Sequence, residues 1–131
     1  MATREQVEEW LAGYERAWRT PGTAALSELF AEDASYRMGP YEEPALGLAA
    51  IGALWEDERE GPDEAFTMES EILAVEGDTA VVRVEVRYGP PTEAEYRDLW
   101  LIRFGADRTC VDFEEWPFWP ERGFKAPERG R

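Results

Sequence analysis

The amino-acid sequence predicts an α+β fold: a cone-like barrel of three N-terminal helices packed into a curved, mostly antiparallel sheet. Three observations lead to it. Apolar residues recur at helical spacing from Val7 to Trp55, and from Phe66 onward the repeat becomes twofold. Helices that precede the strands, rather than alternate with them, gather on one side of a sheet. A curved sheet around a long first helix would enclose a pocket of the kind that holds small molecules.

The first helix should begin at Thr3, which with Gln6 resembles a capping box, and Glu5 suits the positive helix end. Val7, Trp10, Leu11, Tyr14, Ala17 and Trp18 fall on one face, and Thr20-Pro21-Gly22 stops the helix. Thr23 can cap a second, shorter helix with Leu26, Leu29 and Phe30 turned inward; Asp33-Ala34-Ser35 ends it. Tyr36-Arg37-Met38 reads as a short strand, and Gly39-Pro40 and Pro44 confine the residues between them to a loop bearing Tyr41, Glu42 and Glu43. A third helix starts near Gly47, directs Ile51, Leu54 and Trp55 inward, and finishes before Gly61-Pro62.

Strands are expected at Phe66 to Val75, Thr79 to Tyr88, Tyr96 to Phe104 and Cys110 to Trp116. Glu76-Gly77-Asp78 and Gly105-Ala106-Asp107 are the turn signals, and Gly89-Pro90-Pro91 breaks the second strand. In the second strand Val82, Val84, Val86 and Tyr88 share a face opposite Arg83, Glu85 and Arg87; in the third, Tyr96, Asp98, Trp100, Ile102 and Phe104 share one. A slip of one residue would exchange these faces.

The 131 residues suffice for one domain over 1–120, with a loose tail at 121–131 rich in Pro, Gly and Arg. Hydrophobic residues make up 44% and the aromatics 13%, which argues for a packed, aromatic core. A net charge of −15 repels phosphate backbones and anionic membrane surfaces, so neither nucleic acid nor a membrane is an expected partner. The chain has no histidine, which removes histidine metal ligands, histidine general bases and histidine-dependent triads. Its single cysteine, Cys110, reads as a small buried hydrophobe. The first ten residues lack an apolar targeting stretch, and no apolar run approaches the ~20 residues that span a bilayer. A soluble, cytoplasmic protein is expected.

The segments GYERAW, LFAEDASYRMGP and EPALGLAAIGALW, with the closing strand FEEWPFW, resemble the nuclear transport factor 2-like superfamily from Val7 to Trp119. Within it the chain is similar to SnoaL-like proteins of the polyketide cyclase and steroid delta-isomerase kind. The resemblance implies a cone-like, cystatin-like α+β domain that hosts isomerases, cyclases, hydrolases and non-catalytic binding domains alike. In the steroid-isomerase branch an oxyanion-donating tyrosine matches Tyr14, the base carboxylate falls on Met38, and the second, neutral acid falls on Trp100. Two of three functional positions therefore differ. Scytalone-dehydratase chemistry needs histidines that are absent here. The nearest mimic of the arginine-with-aspartates set of epoxide hydrolases, Arg83-x-Glu85-x-Arg87, belongs to the outer face.

SnoaL-type chemistry needs a carboxylate in the cavity, and Asp98 is the candidate, to move a proton while Tyr14 stabilises developing oxyanion charge. Desolvation on an aromatic face would raise the Asp98 pKa; the plainer alternative pairs it with an Arg or Tyr at the cavity mouth. Glu114 and Glu115 point to opposite faces, so one of them should approach the pocket. Trp18, Tyr36, Met38, Tyr41, Trp55, Val84, Val86 and Trp100 are the expected ligand-binding residues, for a small apolar or aromatic, ring-containing ligand. No metal and no cofactor are expected, and the chemistry would be isomerisation, cyclisation or dehydration by acid and base. The alternative is a non-catalytic dimeric binding or scaffold domain whose cavity is filled by its own tryptophans. Val81, Leu99 and Leu101, flanked by Arg83, Glu85, Arg87, Arg97 and Arg103, suggest a homodimer through the outer sheet face, or a charge ladder facing water.

Overall fold

A computed structural model describes residues 1–59, 65–89 and 94–120. The expected stop at Gly61-Pro62, the Pro90-Pro91 break and the 121–131 tail lie outside the described residues. Helix α1 spans Arg4–Arg19, and Thr3 caps it by accepting a hydrogen bond from the Gln6 amide at 3.1 Å. The helix gives way at Thr20, whose backbone is extended, as expected of a residue that precedes Pro21. Val7, Trp10, Leu11, Tyr14 and Ala17 are buried along one stripe. The Trp10 indole also donates to the Leu29 carbonyl at 2.8 Å, so a large apolar ring is buried without orphaning its N–H.

Helix α2 is a single turn, Leu26–Leu29, and β1 runs Phe30–Arg37. The division expected between helix and strand is therefore moved. Phe30 begins the strand rather than closing the helix, and Asp33-Ala34-Ser35 lie within it. The parallel partner strand overrides the local turn propensity of Asp33 and Ser35 here: Ser35 donates to Asp112 Oδ1 at 2.6 Å across that pairing. Thr23 is not the cap of α2, which starts from Ala25 without a side-chain hydrogen bond. Thr23 instead packs against Gly52, where an added Cβ would lie 3.4 Å from its hydroxyl.

A two-residue strand, β2, Ala45–Leu46, precedes α3, Leu48–Glu58. Gly47 joins them at φ 87° and ψ 162°, a region essentially confined to glycine, where a side chain would cost on the order of 1–3 kcal/mol. Arg59 then fastens α3 to the end of α1. Its guanidinium reaches the Thr20 carbonyl at 2.7 Å and the Gly22 carbonyl at 2.8 Å, and pairs with Glu56.

The remaining strands are β3 Phe66–Glu76, β4 Thr79–Tyr88, β5 Ala94–Phe104 and β6 Cys110–Phe118. One six-stranded mixed sheet results, ordered β2-β1-β6-β5-β4-β3, in which β1 and β6 are parallel and the other neighbours antiparallel. The expected register holds, with Val82 opposite Trp100 and Arg83 opposite Leu99. Val82, Val84, Trp100 and Ile102 are consequently buried, and Arg83, Arg97 and Arg103 are exposed. On the outer face Arg97 meets Glu85 at 3.6 Å and Arg87 meets Glu95 at 3.1 Å.

Phe113, with no exposed surface, sits at the centre of the core, stacked on Tyr36 at 4.6 Å and edge-on to Trp100 at 5.1 Å. Truncating such a ring costs roughly 3–5 kcal/mol. Cys110 is fully buried and unpaired, and burial pushes its thiol up to about 12. Among the described residues no helix is long and apolar enough to cross a membrane.

Candidate functional site

A cavity of about 200 Å³ opens between α1, α3 and the inner face of β3, β4 and β5. It forms because alternation on β4 and β5 turns Val86, Tyr88, Tyr96, Asp98 and Trp100 toward the helices, and the helical stripes answer with Tyr14, Trp18, Leu54 and Trp55. Tyr36 and Met38 close one side, and Phe66 and Met68 another.

Two carboxyl groups enter this apolar space. Asp98 on β5 is 5% exposed, and Glu115 on β6, opposite Trp100 in the ladder, lies diagonally across from it on the same face. The two side chains interact directly, and both are shifted upward. For Asp98 the cause is burial, partly offset by hydrogen bonds from Glu115, Trp100 and the Phe118 backbone. For Glu115 the shift is large, caused by burial first, then by Asp98 and by the more distant charge of Glu58. Two carboxyl groups this close, in a medium that penalises charge, cannot both ionise freely. The pair thus holds a proton more tightly than two separate carboxyls would, and it titrates as a unit.

Trp100 holds the pair in place. Its indole N–H donates to Asp98 Oδ2 at 3.3 Å and also favours ionised Glu115. Asp98 Oδ1 is buried with no hydrogen-bond partner. A proton on Glu115, or a donor brought by a ligand, is what can satisfy it.

A second polar pair faces the first. The Tyr14 and Tyr36 hydroxyls lie 3.1 Å apart and both are buried. Burial pushes both well above the ordinary tyrosine value, and the neighbouring hydroxyl adds to this for Tyr14, so both stay neutral, one donating to the other and the second free to donate onward. Trp55 Nε1 is buried without a hydrogen-bond partner, although its indole lies near enough to Tyr36 to favour the ionised form. Among the described residues no group of three or more His, Cys, Asp or Glu could hold a metal ion.

The structure brings Asp98, Tyr14, Trp18, Tyr36, Met38, Trp55, Val86 and Trp100 together around one cavity. It does not bring two others. Tyr41 is fully exposed and outside the lining, because Gly39 and Pro40 turn its loop away toward solvent. Val84 points inward as expected but is wholly buried in the core rather than lining the cavity. Of Glu114 and Glu115, the latter faces the cavity, while Glu114 accepts from the Trp116 indole on the other face. Sequence reasoning also missed Glu58, at the last turn of α3, and Phe66, Met68 and Tyr88 on the far strands. The available signal for Glu115 was its register opposite Trp100, which no alternation within FEEW could reveal.

Comparison with known proteins adds a lineage. A family model described as "SnoaL-like domain" matches residues 7–111. No curated protein matches the sequence significantly. Several solved structures share the fold at low identity. An epoxide hydrolase/cyclase-like enzyme, SalBIII, of pyran ring formation in the polyether salinomycin has a TM-score of 0.72 at 16% identity, over 91% of this chain and 94% of that one. A steroid delta-isomerase from Pseudomonas aeruginosa has a TM-score of 0.62 at 20% identity, over 93% and 86%. A ketosteroid isomerase-like protein from Erwinia carotovora atroseptica has a TM-score of 0.59 at 21% identity, over 91% and 100%.

Proposed function

The chain belongs to the SnoaL-like domain family, and on that premise we propose that it is a cofactor-free enzyme that moves protons on a compact, ring-containing substrate. The observation that carries this reading is the Asp98–Glu115 pair, buried in an aromatic cavity beside the Trp100 indole. A pair that holds one proton and one charge near neutrality can act as base and acid in the same turnover.

Ionised Asp98 takes a proton from a substrate carbon or hydroxyl. Protonated Glu115 gives one to the atom that accepts the displaced electron pair, whether a carbon, an opening ring oxygen or a departing hydroxyl. Asp98 ends protonated and Glu115 ionised, and a proton passing between them resets the pair. Isomerisation, ring closure and loss of water all fit this balance. The Tyr14–Tyr36 pair faces the carboxyls and has one O–H left to donate, suited to an oxygen that gains charge in the transition state. The steroid-isomerase arrangement is not preserved, since Met38 and Trp100 replace its acids; here the carboxyls come from Asp98 and from β6. A cavity of about 200 Å³ lies below the ~300–1,000 Å³ of common ligand sites and favours a single ring over a fused polycycle.

The test is proton exchange. Small cyclic ketones such as 3-cyclohexenone are incubated with the protein in deuterated water, and exchange or double-bond migration is followed by proton NMR. Loss of a general base lowers the rate about 10²- to 10⁴-fold in Asp98→Asn. Equal rates with the protein and with Asp98→Asn, across the panel, would contradict the proposal.

The rival reading, a binding domain without catalysis, draws on the outer face. There Val81, Leu99 and Leu101 run half-buried between ion pairs that are satisfied within the sheet. We take this face as the site of a homodimer. Light scattering should then read twice 15.0 kDa, and Leu101→Glu should restore the monomer. A monomeric parent protein would contradict the dimer.

A further inference from the structure

The cavity carries charge of one sign. Three of its sixteen described lining residues bear carboxyl groups, Glu58, Asp98 and Glu115, and none is Lys or Arg. Eight of the sixteen are aromatic, so the remaining wall offers π-faces rather than neutralising charge. Two arginines approach from outside the lining. Arg19 stacks on Phe66 at 3.9 Å, and Arg59 lies 5.8 Å from the Trp18 ring and 5.9 Å from Trp55. Both are committed elsewhere, Arg19 to Glu15 and the Phe66 carbonyl, Arg59 to Glu56 and the carbonyls that end α1. Their placement also indicates which kind of group these rings accept.

A second observation points into the cavity from the sheet. Asp98, 5% exposed, presents a buried Oδ1 with no partner. An anion entering here would meet three carboxyls and no donor of positive charge. A neutral apolar ligand would leave that oxygen dependent on the Glu115 proton alone. A compact ammonium would answer both the oxygen and the rings, and the net charge of −15 would draw it toward the protein.

We propose that the ligand of this cavity is a cationic amine, a protonated ammonium carried on a small ring, seated between the Asp98–Glu115 pair and the Trp55 and Trp100 rings. This deepens the acid/base reading above and rests on it, because it names the substrate class of the same site. A cation beside the pair stabilises ionised carboxylates, so binding expels protons and affinity rises with pH. The titratable groups facing the pair are Tyr14 from α1, Tyr36 from β1, Glu58 from α3, Tyr88 from β4 and Tyr96 from β5. The described lining residues of β3, Phe66 and Met68, add none.

The test is calorimetric titration of the whole chain with benzylammonium, neutral N,N-dimethylbenzamide and anionic benzoate. Each is run at pH 5 and pH 8, in buffers of differing ionisation enthalpy so that proton release is counted. The expected result is that the ammonium binds at least about tenfold tighter than the amide at pH 8, and that benzoate does not bind. The preference should shrink at pH 5, with protons released on binding near neutrality. Glu115→Gln should lose most of the proton release, and Asp98→Asn most of the preference for the cation. Amide or benzoate binding as tightly as the ammonium, without proton release, overturns the inference. Failure of all three ligands to bind the folded protein overturns it too. In either case the acid/base reading stands if carbon-13 spectra of the free protein show a carboxyl proton retained at pH 7, and falls with it if they do not.

Discussion

The Trp100 indole donates to Asp98 Oδ2 at 3.3 Å although only Leu99 separates the two residues on β5. Residues two apart on a strand share a face, so one strand supplies both a carboxylate and the donor that holds it. The same indole favours ionised Glu115 from across the ladder. A tryptophan at this position therefore does more than fill space, because it limits how far burial can raise the pair.

Trp100→Phe should remove that limit. The N–H stabilises the charged form of both carboxyls, so its loss moves both pKa values further upward. Carbon-13 titration of the side-chain carboxyls should show both midpoints higher than in the parent protein. Unchanged midpoints would mean that the indole has no electrostatic part.

Glu115→Gln should stabilise the fold at neutral and alkaline pH. Burial raises Glu115 in the folded state, so the unfolded chain loses its proton first as pH rises above about 4. Stability contributed below that pH is then lost as pH climbs through the raised folded value. The amide removes this loss. The variant should melt about 3–6 °C higher at pH 8, the change that ~1 kcal/mol makes in a domain of this size, with the gap closing toward pH 4. A variant that melts lower at pH 8 would rule out a strained, half-protonated pair.

Arg59→Ala should be among the more damaging substitutions outside the core. Its guanidinium is held by the Thr20 and Gly22 carbonyls, and its side chain is 8% exposed, so removal leaves helix-end carbonyls without their donor. Urea unfolding should report a loss of roughly 2–3 kcal/mol. Lysine should recover only part of it, because an ammonium cannot span two carbonyls as a planar fork does. Full recovery by lysine would reduce the contact to simple charge.

Much of this fold could be read from alternation and capping. Thr3, the inward stripe of α1, and the Val82–Val84–Trp100–Ile102 face come from side-chain period alone, which is local. What escaped was set by distant partners. Phe30 and Ser35 join a strand because β6, far later in the chain, pairs with them in parallel. The candidate site divides along the same line. Asp98, Tyr14, Trp55 and Trp100 lie where periodicity puts them, whereas Glu115 depended on the β5–β6 register and Tyr41 on the direction of a loop. Glu58 enters the lining from the last turn of α3, a position that helical spacing alone does not mark.

Proton sharing between Asp98 and Glu115 is read most directly by a carbon-13 titration of the two carboxyls in the full chain, assigned with Asp98→Asn and Glu115→Gln. Two linked midpoints are expected, both raised above the ordinary carboxylate range, each moving when the other residue is replaced. Two independent transitions in the ordinary carboxylate range, neither responding to loss of its neighbour, would contradict a proton-sharing pair and with it the proposed chemistry.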